Sequence, residues 1–132
     1  VITKNKLIIV VCDNGGFAVI NRLQLFKGGK EYNNLLKSSN TPGLVDVDFA
    51  KHAESMGAKS EHVNSISDLE AAFKRAKASD VTYVISIKTH AYKWVEGSAF
   101  WDSPTLEIPT TKENEEALKL YKEGKGKQRQ GV

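Results

Sequence analysis

Cysteine and proline are both scarce in this chain. A single cysteine, Cys12, among 132 residues excludes an internal disulfide, and with it a small fold stapled by oxidised pairs. Three prolines exclude a proline-rich extended rod. No apolar run approaches the roughly 20 residues needed to cross a bilayer, so a membrane is not an expected partner. The formal net charge is only +3. Its one basic concentration, at 122–129, has no interleaved aromatics, so it reads as a solvated tail and nucleic acid is not expected as a partner. Neither G-x-G-x-x-G nor G-x-x-x-x-G-K-[ST] occurs, nor H-E-x-x-H, C-x-x-C or G-x-S-x-G. The common nucleotide loops, zinc sites and serine nucleophile elbow are therefore missing. His52, His62 and His90 lie far apart in the chain. No leader with a cleavage site is read in VITKNKLIIVV, and the expected compartment is cytoplasmic.

What is present is a globular composition, 40% hydrophobic and 27% charged, and one informative stretch, LIIVVCDNGGF at residues 7–17. Leu7, Ile8, Ile9, Val10 and Val11 read as a strand covered on both faces, the habit of a parallel sheet. Cys12 at its end reads as a small inert hydrophobe. Asp13-Asn14-Gly15-Gly16 then breaks the run. Two readings stand for this break. Asn-Gly after a strand is a hairpin signal leading into a second strand at 17–26. Equally, ligands bind at the carboxyl ends of strands in open α/β sheets. There the Asn14 side-chain oxygen and unshielded glycine carbonyls suit Mg²⁺ or Ca²⁺.

The remainder favours alternation. Residues 17–45 read as a long loop, with glycines at 28–29 and Ser-Ser-Asn-Thr-Pro-Gly at 38–43. Asp48 caps a helix bearing Phe49, Ala53 and Met56 on one face and closed by Gly57. A strand over 58–63 follows. Ser67, with Glu70 completing a capping box, starts a helix striped by Leu69, Ala72, Phe73 and Ala76. Residues 81–87, VTYVISI, form a β-branched strand. Residues 90–109, with Trp94 and Trp101, read as an extended arm. Thr110 and Glu113 cap a last helix carrying Ala117, Leu118 and Tyr121 and stopped by Gly124. The fold class is α/β, a partial doubly wound parallel sheet followed by a C-terminal arm and helix. The division expected is 1–89 for the α/β part and 90–132 for the arm, helix and basic tail.

The order of these segments resembles the diphosphate-binding domain of the thiamine-diphosphate enzymes. The strand ending in Asp-Asn-Gly, the long loop, VDFAKHAESMGAK, SDLEAAFKRAKASD and VTYVISIKT carry the likeness. Within that family, GFAVINRLQ, YNNLL at 32–36, AFWDSP at 99–104 and KQR at 127–129 are most similar to the hydrolases that open a trihydroxycyclohexane-1,2-dione ring in myo-inositol catabolism. The resemblance implies thiamine diphosphate and Mg²⁺ as cofactors. Carried over, Asn14 and the Gly16 carbonyl are the metal ligands, and Asn14, Gly15, Gly16 and Phe17 the cofactor-binding residues. Asp13 stands where the family often has another Asn and is not taken as a ligand. The family's Gly-Asp-Gly half of the metal motif and its activating glutamate are absent from these residues. The chain is thus expected to be a C-terminal fragment, inactive alone and without catalytic residues of its own. Its implied partners are the remainder of the same enzyme, a cyclic diketone substrate, and further copies in a homodimer or tetramer. Rival readings are an acetolactate-synthase-like enzyme, a 2-oxoacid decarboxylase, or a non-catalytic α/β association module.

Overall fold

Eight residues from Val81 to Lys88 alternate around a β-branched pattern, and this stretch supplies the central strand of the computed structural model, which describes residues 5–40, 43, 46–94 and 105–128. The elements in chain order are β1 (Ile8–Asp13), α1 (Ala18–Phe26), a single 3-10 turn at Leu36–Ser38, α2 (Phe49–Ser55), β2 (Lys59–Val63), α3 (Ile66–Ala78), β3 (Tyr83–Lys88) and α4 (Lys112–Gly126). The chain forms two compact units, one of residues 1–16 and 43–91, the other of residues 17–42 and 92–132.

The first unit is the α/β part. Its sheet has the order β1-β3-β2, and both pairings are parallel. The register runs from Ile8 opposite Tyr83 to Asp13 opposite Lys88. Alternation sends Tyr83, Ile85 and Ile87 to one face, where they pack with Val63, Ala72 and Ala76 beneath α3. On the other face Ser60 Oγ donates to the Ala50 carbonyl of α2 at 2.8 Å, and His62 meets Asp48, the N-cap of α2, at 2.8 Å. Helices therefore cover both faces of the sheet, as parallel sheets require.

Burial falls on β3, whose Val84 to Ile87 are all buried. β1 is not covered on both faces as its composition suggests. Ile9 and Val10 are 40% and 38% exposed, and Cys12 is exposed rather than buried. The reason is position: β3 has a strand on each side, whereas among the described residues β1 has one only on its β3 side. α3 reaches Ile8 and leaves Val10 and Cys12 uncovered.

Helices α2, α3 and α4 start at side-chain caps, whereas α1 starts at Phe17 without one. Asp48 caps α2 as expected, accepting from Lys51 N at 2.9 Å, and Gly57 takes φ +86° just past its end. The buried face of α2 is Ala50 and Ala53, while Met56 is exposed. α3 is capped by Ser65 and not by Ser67: Ser65 Oγ accepts from Asp68 N at 3.1 Å and donates to the Asp68 carboxylate at 2.7 Å. Ala72 and Ala76 of its apolar stripe are fully buried. An ion pair from Arg75 of α3 to Glu61 of β2 (2.6 Å) and a hydrogen bond from Tyr83 to Glu61 (2.7 Å) tie α3 to the sheet.

The second unit holds the main departure from expectation. Residues 18–26 form helix α1, neither loop nor hairpin strand. Only Ala18 and Asn21 of α1 are buried, and Val19, Ile20, Leu23, Leu25 and Phe26 are exposed. Val19, Ile20, Leu23 and Phe26 nevertheless recur at i, i+1, i+4 and i+7, the spacing of one broad helical face, with Asn21 and Gln24 on the other side. α1 ends at Gly28, φ +77°, where the buried Asn114 of α4 donates from Nδ2 to the carbonyls of Lys27 and Gly28 at 3.3 and 3.0 Å. α4 is capped by Thr111 through Asn114 N at 3.2 Å, one residue later than Thr110, and runs through Gly124 to Gly126. Trp94 lies against the Arg22 guanidinium, 5.1 Å from its ring centre. Trp101, the AFWDSP stretch and Arg129 lie outside the described residues.

Three substitutions test these caps. Ser65→Ala is expected to lower unfolding stability by about 1 kcal/mol and Ser67→Ala by only a few tenths, measured by urea denaturation. Gly28→Ala is expected to cost more than about 1 kcal/mol, because its φ is positive and a Cβ there would stand 2.7 Å from the Asn114 amide nitrogen.

Candidate functional site

The turn after β1 lies at the carboxyl end of the parallel sheet, where such sheets bind ligands. β1 pairs with β3 and not with residues 17–26, so the hairpin reading of Asp13-Asn14-Gly15-Gly16 is excluded. The turn is built from two overlapping side-chain hydrogen bonds. Asp13 Oδ1 accepts from Gly15 N at 2.9 Å, and Asn14 Oδ1 accepts from Gly16 N at 3.2 Å. Asp and Asn commonly bond backbone two residues on in this way. The chain can follow because Gly15 has φ +75°, which costs glycine little. A Cβ on Gly15 would meet no atom within 4 Å, so the space beside the turn is open.

Both carboxylate oxygens of Asp13 are already engaged within the protein, Oδ1 by the Gly15 amide and Oδ2 by the Lys88 ammonium. Its Oδ2 accepts from Lys88 Nζ at 2.6 Å, and its side chain is 11% exposed. Partial burial works to raise its pKa, but the Lys88 ammonium and the Gly15 amide outweigh that and hold the carboxyl below the ordinary 3.8. Lys88 also reaches Asp46 at 2.5 Å. The hydrogen bonds to Asp13 and then Asp46 push its pKa up to about 12.

The donor set fits a hard cation held partly by a ligand's own oxygens. Asn14 Oδ1 takes one 3.2 Å hydrogen bond, and an amide oxygen has two lone pairs. Gly16 is exposed. Neutral oxygens suit Mg²⁺. Among the described residues no group of three or more His, Cys, Asp and Glu could hold a metal. An all-protein cage is thus not what these residues form.

Phe17 begins the second unit. It is 71% exposed, and its N–H donates to the Asn34 carbonyl at 2.7 Å. Asn14, Gly15 and Gly16 are contiguous in the first unit. The residues that sequence reasoning missed are Lys88 and Asp46. Their only sequence signal is a lysine closing a strand, which acquires meaning once the register sets it opposite Asp13.

Residues 1–87 match the family described as thiamine pyrophosphate enzyme, C-terminal TPP binding domain. The chain belongs to the thiamine pyrophosphate enzymes. It is 33% identical over 118 residues to the 3D-(3,5/4)-trihydroxycyclohexane-1,2-dione hydrolase of Bacillus licheniformis, over 89% of this chain and 18% of that protein. The protein of the same name from Lacticaseibacillus casei is 34% identical over 120 residues, with the same shares. The chain thus spans less than a fifth of these relatives. Among solved structures, the Rhodococcus jostii RHA1 thiamine diphosphate-dependent 4-hydroxybenzoylformate decarboxylase is similar at 26% identity and a TM-score of 0.51, over 67% of this chain and 15% of that one. No helix among the described residues is long and apolar enough to cross a membrane.

The Asp13 pairing has a pH signature. A carboxyl with a lowered pKa adds stability that is complete above its unfolded value and is lost as pH falls through the folded one. The Asp13 carboxyl carbon is expected to titrate by ¹³C NMR below 3.8, and a midpoint above that value would contradict the ion pair.

Proposed function

We propose that this chain is the diphosphate-binding portion of a thiamine-diphosphate- and Mg²⁺-dependent hydrolase that opens a cyclic 1,2-diketone of the trihydroxycyclohexanedione type. The observation that carries the metal assignment is the Asn14-Gly15-Gly16 turn at the carboxyl end of β1, with Asp13 already committed to Lys88. The names of the curated relatives support the choice of substrate class.

In this reading Asn14 Oδ1 and the Gly16 carbonyl hold Mg²⁺, and Gly15 leaves room for the diphosphate to approach. Thiamine diphosphate, when bound, supplies the electron sink for breaking a bond beside a carbonyl. The residues of this chain anchor and orient; the acid that activates the cofactor lies outside it. The bond between the two carbonyl carbons breaks and one water is added, so the product is a ring-opened acid with the mass of substrate plus water. The reading includes the remainder of the enzyme as partner and a homodimer or tetramer. The exposed Val19, Ile20, Leu23 and Phe26 of α1 support association, since such apolar clusters mark contact surfaces.

A decarboxylase of a 2-oxoacid is the second reading, favoured by the name of the structural neighbour. Mass spectrometry of the product separates the two: addition of one water supports the hydrolase, and release of CO₂ from an aryl 2-oxoacid supports the decarboxylase.

The cofactor reading is tested by calorimetry with thiamine diphosphate at varied Mg²⁺. The protein at its natural length is expected to bind in a Mg²⁺-dependent way, and Asn14→Ala to weaken binding on the order of tenfold or more. Equal affinity with and without Mg²⁺ would refute the site.

A further inference from the structure

We propose that Lys88 is a positioning residue for the Asn14-Gly15-Gly16 turn, holding the Asp13 carboxylate so that Asp13 shapes the turn and does not ligate the metal. This rests on the reading of Asn14 and Gly16 as metal ligands.

The geometry begins with the register. Asp13 and Lys88 are the last pair of the β1·β3 ladder, and Thr89 N donates to the Asp13 carbonyl at 2.8 Å just beyond it. The Lys88 backbone is therefore held by the central strand, and its side chain lies on the same face as that of Asp13. The ammonium meets Asp13 Oδ2 at 2.6 Å and Asp46 at 2.5 Å. Asp46 is 81% exposed, and such a surface partner contributes little energy; it fixes where the lysine head sits. Asp13 is largely covered, and its second oxygen holds the Gly15 amide at 2.9 Å. The chain of contacts thus runs from β3 through Lys88 and Asp13 to the backbone between Asn14 and Gly16.

Charge gives this arrangement its consequence. A diphosphate bound beside the turn is strongly anionic, and an unpaired carboxylate one residue from Asn14 would repel it. Lys88 neutralises that carboxylate. Without the lysine, Asp13 is freed both to repel the ligand and to compete for the cation. Outer groups that orient metal ligands in this way typically account for tenfold to a hundredfold in affinity.

The test uses the protein at its natural length, with Mg²⁺-dependent thiamine diphosphate affinity as one readout. The ¹H–¹⁵N resonance of Gly15 in the same protein, without metal or cofactor, is the other. Lys88→Met is expected to weaken cofactor binding about tenfold or more and to shift the Gly15 amide. Lys88→Arg, which keeps the charge, and the double variant Lys88→Met/Asp13→Asn are expected to recover most of the affinity. Asp13→Asn alone keeps an acceptor for Gly15 and is expected to bind close to the parent; it tests the idea whether or not Lys88→Met folds. The proposal is overturned if Asp13→Asn weakens binding as much as Asn14→Ala, because Asp13 would then be a ligand. It is equally overturned if Lys88→Met leaves both affinity and the Gly15 resonance unchanged, or if neither Arg nor Asp13→Asn rescues it. Should Asn14→Ala bind like the parent, the ligand reading fails, and an unmoved Gly15 amide in Lys88→Met would separately refute the hold on the turn.

Discussion

The parallel pairing of β1 and β2 on either side of β3 is the constraint from which the rest of the first unit follows. It gives Val84 to Ile87 neighbours on both edges and helices on both faces, and so makes β3 the buried strand. It also sets Asp13 opposite Lys88. A one-residue slip would send every side chain of β1 to the other face. Ile8 would then leave the core beneath α3, and Asp13 would lose its cation. Packing at one end of the ladder and electrostatics at the other therefore select the same register.

That coupling explains how the chain's own residues shape the turn after β1. An asparagine and two glycines would otherwise leave a loop with few internal constraints. Here Asp13 and Asn14 each fix an amide two residues on, and Lys88 ties the first of these to the sheet. A preformed turn reduces the ordering that binding must supply. The same device appears in the second unit, where Asn114 holds the carbonyls that α1 leaves open at its end.

Much of the first unit was legible in the residues because its signals are local. The β-branched run over 81–87, the Asp48 cap and the Gly57 stop depend only on near neighbours. The places where the reading failed depend on distant ones. Leu7 to Val11 look like a doubly covered strand, yet coverage depends on which strands and helices reach them, and Val10 and Cys12 are left open. Ser67 with Glu70 looks like a capping box, yet Ser65 takes the cap through its reciprocal bonds with Asp68. α1 carries a helical period in Val19, Leu23 and Phe26, but it has no side-chain N-cap, and the glycines at 28–29 and the Ser-Ser-Asn-Thr-Pro-Gly stretch favoured a loop reading. At the site, the Asn-Gly-Gly break at a strand end was readable. The Lys88–Asp13 pair joins residues 75 positions apart, and only the register reveals it.

The most direct test of the account is a crystal structure of the natural-length protein with Mg²⁺ and thiamine diphosphate. The account places Asn14 Oδ1 and the Gly16 carbonyl about 2.0–2.1 Å from the metal, with Asp13 still paired to Lys88. A metal bound away from this turn, or one ligated by Asp13 with Lys88 turned aside, would contradict it.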